Sequence, residues 1–105
     1  MGYQLKNTVK VSELSSKLNL KWTGLDHKVC MISPLDQAEL GCLTYSNRKE
    51  IDAENISIIC NASDITSENG NAYILSKNPR LDFIRALQYL HNEIGFLSWQ
   101  EETFI

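Results

Sequence analysis

In AYILSKNPRLDFIRAL, residues 72–87, a short apolar run leads straight into a helix signal. Ala72, Tyr73, Ile74 and Leu75 stand between polar residues and predict a buried strand. Asn78 and Pro79 follow: the asparagine side chain caps free amides, and proline at the first helical position has no amide to leave unpaired, so a helix begins there. Leu81, Ile84, Leu87 and Leu90, with Phe83, Ala86 and Ile94, predict a wide apolar stripe that continues to about Asn92, and Gly95 ends it. A buried strand feeding a long helix implies a sheet covered by helices.

The rest of the chain fits that frame. Residues 56–60, ISIIC, are apolar on both faces and predict a central strand. Upstream, Val11, Leu14 and Leu18 share one helical face while Ser12, Glu13, Ser15, Ser16 and Lys17 face water, which predicts a two-turn helix ending near Asn19. Leu20 and Trp22 before Gly24 predict a short strand and turn, residues 28–32 a second strand, and Leu43 to Tyr45 a third. Ser33-Pro34 stops the second strand, and residues 36–40 read as a helical turn or loop closed by Gly41. Residues 1–10 alternate polar and apolar side chains without marking an element, and residues 61–71 read as a solvated loop. The expected fold is α/β in the mixed α+β sense: a small mixed sheet flanked by an N-terminal helix and a longer C-terminal one.

Composition bounds the function. A chain of 105 residues suits one small domain and buries roughly 65% of its unfolded surface, enough for a core without metal or disulfide support. With 43% hydrophobic and 22% charged residues it has a globular composition, and ten basic against 13 acidic side chains give nucleic acid no electrostatic reason to bind. No apolar run approaches the ~20 residues of a membrane span, and residues 1–10 lack the apolar core of a secretory signal, so a cytoplasmic protein is expected. Cys30, Cys42 and Cys60 have no paired or metal-ligand spacing and are expected as buried free thiols.

Catalytic chemistry is sparse. His27 falls in a turn and His91 at a helix end, where a histidine can satisfy exposed carbonyls and the helix dipole, and Asp64 and Glu68 lie in the polar loop. Trp22 and Trp99 read as packing residues. No nucleophile elbow, zinc motif, phosphate loop or dinucleotide fingerprint occurs, so no catalytic, metal or cofactor residue is assigned. The suggestive stretch is GCLTYSNRK, residues 41–49. A base could stack on Tyr45, Asn47 could read a pyrimidine edge, and Arg48 or Lys49 could neutralise a diphosphate; a strand tyrosine followed by a solvated basic turn is the alternative.

Five pieces in one order carry a resemblance over residues 8–92: VSELSSKL at 11–18, the Trp22-Thr23-Gly24 turn, ISPLDQAELGCLTYSN at 32–47, the buried strand at 56–60, and SKNPRLDFIRAL at 76–87. Together they resemble the amino-terminal domain of the UDP-3-O-acylglucosamine N-acyltransferases, lipid A pathway enzymes of Gram-negative bacteria. The resemblance implies a small α/β domain that helps hold the uridine of a UDP-sugar ahead of a trimeric, hexapeptide-repeat β-helix carrying the catalytic histidine. It implies Tyr45 as the stacking aromatic and Asn47 as the polar contact to the base or ribose; Arg48 joins them as a site residue on its charge alone. This loop is one residue shorter than the family's between aromatic and asparagine, and Glu50 stands where the family has a second aromatic.

The resulting expectation is a nucleotide-sugar-binding-like domain over residues 1–95 and, over 96–105, a tail or lead into a β-helix domain beyond Ile105. Neither histidine matches the family's base and no hexapeptide repeat occurs, so acyl transfer, acyl-carrier contact and trimerisation would belong to that further domain. The other expectation, from a different class, is a stand-alone protein-interaction module of the same fold. Muramyl-peptide ligases carry a related amino-terminal fold that also holds a UDP-sugar, so fold alone does not separate the pathways.

Overall fold

The computed structural model describes residues 3–35, 38–46, 54–61 and 70–97. In chain order it forms β1 (Tyr3–Lys10), α1 (Val11–Leu18), β2 (Lys21–Gly24), β3 (Lys28–Ile32), β4 (Cys42–Tyr45), β5 (Ser57–Cys60), β6 (Ala72–Leu75) and α2 (Pro79–Glu93). The strands make one mixed sheet of order β1-β3-β4-β5-β6-β2. β3 to β6 run parallel, and β1 and β2 add antiparallel strands at the two ends. This is the expected α+β architecture, with ISIIC as an interior strand buried along its length.

Both faces of the sheet are packed, which is why β5 and β6 read as continuous apolar runs. On one face Leu43, Ile59 and Ile74 meet Val11, Leu14 and Leu18 of α1 and Ala86 and Leu90 of α2. On the other, Ile56, Ile58, Cys60 and Tyr73 pack with Leu35 and Ala38 from the β3–β4 connection. Cys42 and Cys60 are buried and not in a disulfide, as expected, whereas Cys30 is half-buried.

Two sequence readings need correction. Residues 3–10 form a strand that the alternation did not mark, because its register breaks: Gln4 pairs with Met31 and Val9 with Val29, so residues 5–8 of β1 face Cys30 alone. Leu5 and Val9 are buried while Asn7 between them is exposed, so the alternation of buried and exposed residues is lost. At the bulge, β1 gains a second neighbour: Lys6 N donates to Gly95 O at 2.9 Å and Leu97 N to Gln4 O at 2.8 Å, beside a Leu5–Phe96 bridge. In α2, the stripe centres on Asp82, Ala86 and Leu90, while Leu81 and Ile84 face solvent at 53% and 44% exposure. A carboxylate at the centre of a buried face is invisible to a hydrophobic pattern.

The turn from β2 to β3 constrains the whole sheet. Four inter-strand spacings separate these strands in the sheet order, about 19 Å in a flat sheet. The link from Gly24 to Lys28 reaches about 14 Å fully extended, so the sheet must curl around its helices. Consistently, α1 touches both β1 and β2, the strands at opposite ends of the order. Gly24 has φ +94°, and a Cβ there would lie 2.2 Å from Asn71 O, so the turn admits no side chain.

Residues 25–27 act as a strap across this edge. Leu25 N donates to Asn71 O at 3.3 Å, and His27 O accepts from Val11 N at 3.0 Å. His27 Nε2 lies 2.6 Å from Gly70 O; because a carbonyl only accepts, Nε2 carries the hydrogen. Lys10 at the α1 N-cap makes no side-chain cap bond, and Asp26 replaces it from the strap: Oδ1 accepts from Ser12 N at 2.9 Å and Oδ2 from Ser12 Oγ at 2.7 Å. Desolvation acts to raise the Asp26 pKa, but the Ser12 hydrogen bonds and the nearby Lys10 and His27 outweigh it and hold the carboxyl below the ordinary range.

Replacing this cap by Asp26→Ala is expected to cost about 1 kcal/mol in urea unfolding at pH 7. Since the folded-state pKa is depressed, the contribution is complete above the unfolded value of about 3.9 and fades as pH falls through the lower folded value. The gap between wild type and variant should therefore begin to narrow as pH falls below about 4 and close only below the depressed folded-state value; a difference that never narrows on acidification would contradict the cap.

Candidate functional site

With the amino ends of the parallel strands strapped, their carboxyl ends are the place to look for a ligand site, as in open α/β sheets generally. β3, β4, β5 and β6 end in Ile32, Tyr45, Cys60 and Leu75, followed by Ser33, Ser46, Asn61 and Ser76. Backbone pairing runs one residue past the strands: Ser33 N donates to Leu43 O at 3.2 Å, Ser46 N to Ile59 O at 3.0 Å and Ser76 N to Cys60 O at 2.8 Å. A row of small polar side chains is thereby fixed along one edge.

Tyr45 ends β4 on the helix-covered face. Its ring is half-buried and tilted against Phe83 of α2, with centroids 4.9 Å apart and planes at 41°. Such offset pairs suit the ring quadrupoles. Asn47 and Arg48, the other expected site residues, lie outside the described residues, as do Lys49, Asp64, Glu68 and Trp99.

The start of α2 is occupied by the chain's own groups. Asn78 Oδ1 accepts from Leu81 N at 3.4 Å, as the Asn-Pro signal predicts. Ser76 Oγ, which the sequence reading passed over, accepts from Asn78 N at 3.0 Å and donates to Asp82 Oδ2 at 2.5 Å. Asp82 Oδ1 takes Arg85 Nη1 at 2.7 Å, and Arg85 Nη2 donates to Leu18 O at 3.0 Å, tying α2 to the end of α1. An acidic side chain in the first turn already answers the helix dipole, so a ligand phosphate would need separate cations. Lys77 and Arg80 are exposed near this edge and make no ion pair among the described residues.

Other candidates are structural. An open cavity of about 390 Å³ lined by Gly24, Leu25, Gly70 and Asn71 lies under the strap, far from Tyr45 in the strand order. Its polar groups are engaged: besides the strap bonds, Asn71 Oδ1 accepts from Ile56 N at 3.0 Å and Nδ2 donates to Tyr73 OH at 3.1 Å. His91 is in the last turn of α2, its ring roughly parallel to Phe96. Among the described residues no three histidine, cysteine or acidic side chains gather as metal ligands, and no helix is long and apolar enough to cross a membrane. No family model matches the chain, and no curated protein matches it.

Removing the Ser76 hydroxyl leaves the Asp82 carboxylate short of one donor and Asn78 N short of its acceptor. Ser76→Ala is expected to destabilise the domain by about 1–3 kcal/mol in chemical denaturation, and an unchanged midpoint would show that the network adds nothing.

Proposed function

We propose that this chain is a non-catalytic nucleotide-sugar-recognition domain of an N-acyltransferase acting on an amino sugar in lipid A or envelope polysaccharide synthesis. The single observation that carries the reading is the position of Tyr45. It closes an interior parallel strand at the carboxyl edge, half exposed, immediately before the segment that holds Asn47 and Arg48. The ordered sequence resemblance supports the same reading, and the mixed sheet with two helices packed on one face is compatible with it.

In this reading the uracil of a UDP-sugar stacks on Tyr45, Asn47 donates to and accepts from the base or ribose, and Arg48 neutralises the diphosphate. The work of the domain is to bind and orient. Acyl transfer, contact with an acyl carrier protein and trimer formation belong to a further β-helix domain, and the setting is the cytoplasm. A second reading, a protein-interaction module of the same fold, is favoured by the exposed apolar pair Leu81 and Ile84 on α2.

Calorimetric titration with UDP-N-acetylglucosamine and with a dTDP-sugar separates the two. Binding should weaken in Tyr45→Ala by about 1–3 kcal/mol, the usual worth of a base stacked on an aromatic ring, and survive largely intact in Tyr45→Phe. No binding of either ligand, with no shift of Tyr45 resonances, would overturn the nucleotide reading; self-association of the chain in sizing would then favour the interaction module.

A further inference from the structure

We infer that Phe83 is a positioning residue for the nucleobase, holding the Tyr45 ring as a stacking platform with one usable face. This rests on the nucleotide-sugar reading given above. The Tyr45 hydroxyl makes no hydrogen bond among the described residues. The restraint on the ring comes from Phe83, which lies against it with centroids 4.9 Å apart and planes tilted by 41°. In the nucleotide-sugar reading the base stacks on the side of the ring away from Phe83.

Phe83 is itself held. It packs against the helix-side core and follows Asp82, whose two carboxylate oxygens are bound by Ser76 and Arg85. Arg85 is in turn anchored on Leu18 O, so the rotation of the first turns of α2 about the helix axis is fixed by the end of β6 and the end of α1. The buried carboxylate that breaks the apolar stripe thus sets the direction in which Phe83 presents its ring. A tyrosine held in one orientation before binding does not have to be ordered by the ligand, which is worth about 2- to 12-fold in affinity for one side chain.

The test is calorimetric titration of wild type, Phe83→Leu, Phe83→Met and Phe83→Tyr with UMP and with 5,6-dihydro-UMP, whose saturated base is puckered and stacks poorly. Two non-aromatic variants guard against one that fails to fold. UMP should bind about 2- to 12-fold more weakly to a folded Leu or Met variant, dihydro-UMP should bind those variants as it does wild type, and Phe83→Tyr should restore UMP binding. In tyrosine-labelled protein, the Tyr45 ring signals should show orientational averaging in the non-aromatic variants only. Unchanged UMP affinity in those variants, or equal loss of both ligands, overturns the positioning role and leaves the nucleotide reading standing. Failure of wild type to bind UMP or UDP-N-acetylglucosamine overturns the reading and this inference together.

Discussion

The short reach of residues 25–27 is the constraint from which the rest of the structure follows. A chain that must pass from one end of a six-stranded order to its second strand in four Cα steps has no flat solution. Curling brings the two antiparallel end strands toward each other and leaves a concave face sized for two helices. Leu14 and Leu18 of α1 and Ala86 and Leu90 of α2 are buried there with the helix-facing residues of β4, β5 and β6. The same loop supplies the cap that α1 lacks locally, so one element shapes the sheet and stabilises the helix inside it.

This constraint also makes the two edges of the parallel strands unlike. At the amino edge, Gly70 and Asn71 are bonded by His27 and Leu25, and the nearby cavity has its polar groups engaged within the chain. At the carboxyl edge, each strand instead delivers a small polar residue and, from β4, an aromatic ring against α2. The start of α2 is used to lock that helix through Ser76, Asp82 and Arg85 and is not held open for an anion. Under the proposed nucleotide-sugar reading, recognition at this edge rests on the Tyr45 ring and on Asn47 and Arg48, which follow it in the sequence.

The sequence made the interior of the fold legible because interior strands and capped helices carry local signals. ISIIC, AYIL and the Asn78-Pro79 cap lie where the apolar runs and capping chemistry put them. β1 was not legible, since its buried residues are spaced by a bulge whose cause is the backbone of β3 and of residues 95–97. The cap of α1 was equally hidden, because Asp26 is fourteen positions away from Ser12 and no local motif links them. Asp82 broke the stripe for a reason that becomes visible only when Ser76, Arg85 and Leu18 are in place around it. For the candidate site, residue type and the end of a predicted strand were enough to single out Tyr45, whereas its partner Phe83 looked like one more core residue.

The strap has a kinetic consequence as well. β2 finds its partner in β6, about fifty residues later, and β1 pairs across α1 and β2 with β3, so the first helix and its flanking strands do not form a self-sufficient local unit. The loop-closure entropy of those pairings must be spent before their contacts return it, which places such a topology among slower-folding domains on the millisecond-to-second scale. Until β6 docks, His27 and Leu25 lack the Gly70 and Asn71 carbonyls they bind, and β2 lacks its ladder. The amino-terminal third of the chain is thus synthesised first, yet β2 and the strap wait for partners on a strand made about fifty residues later.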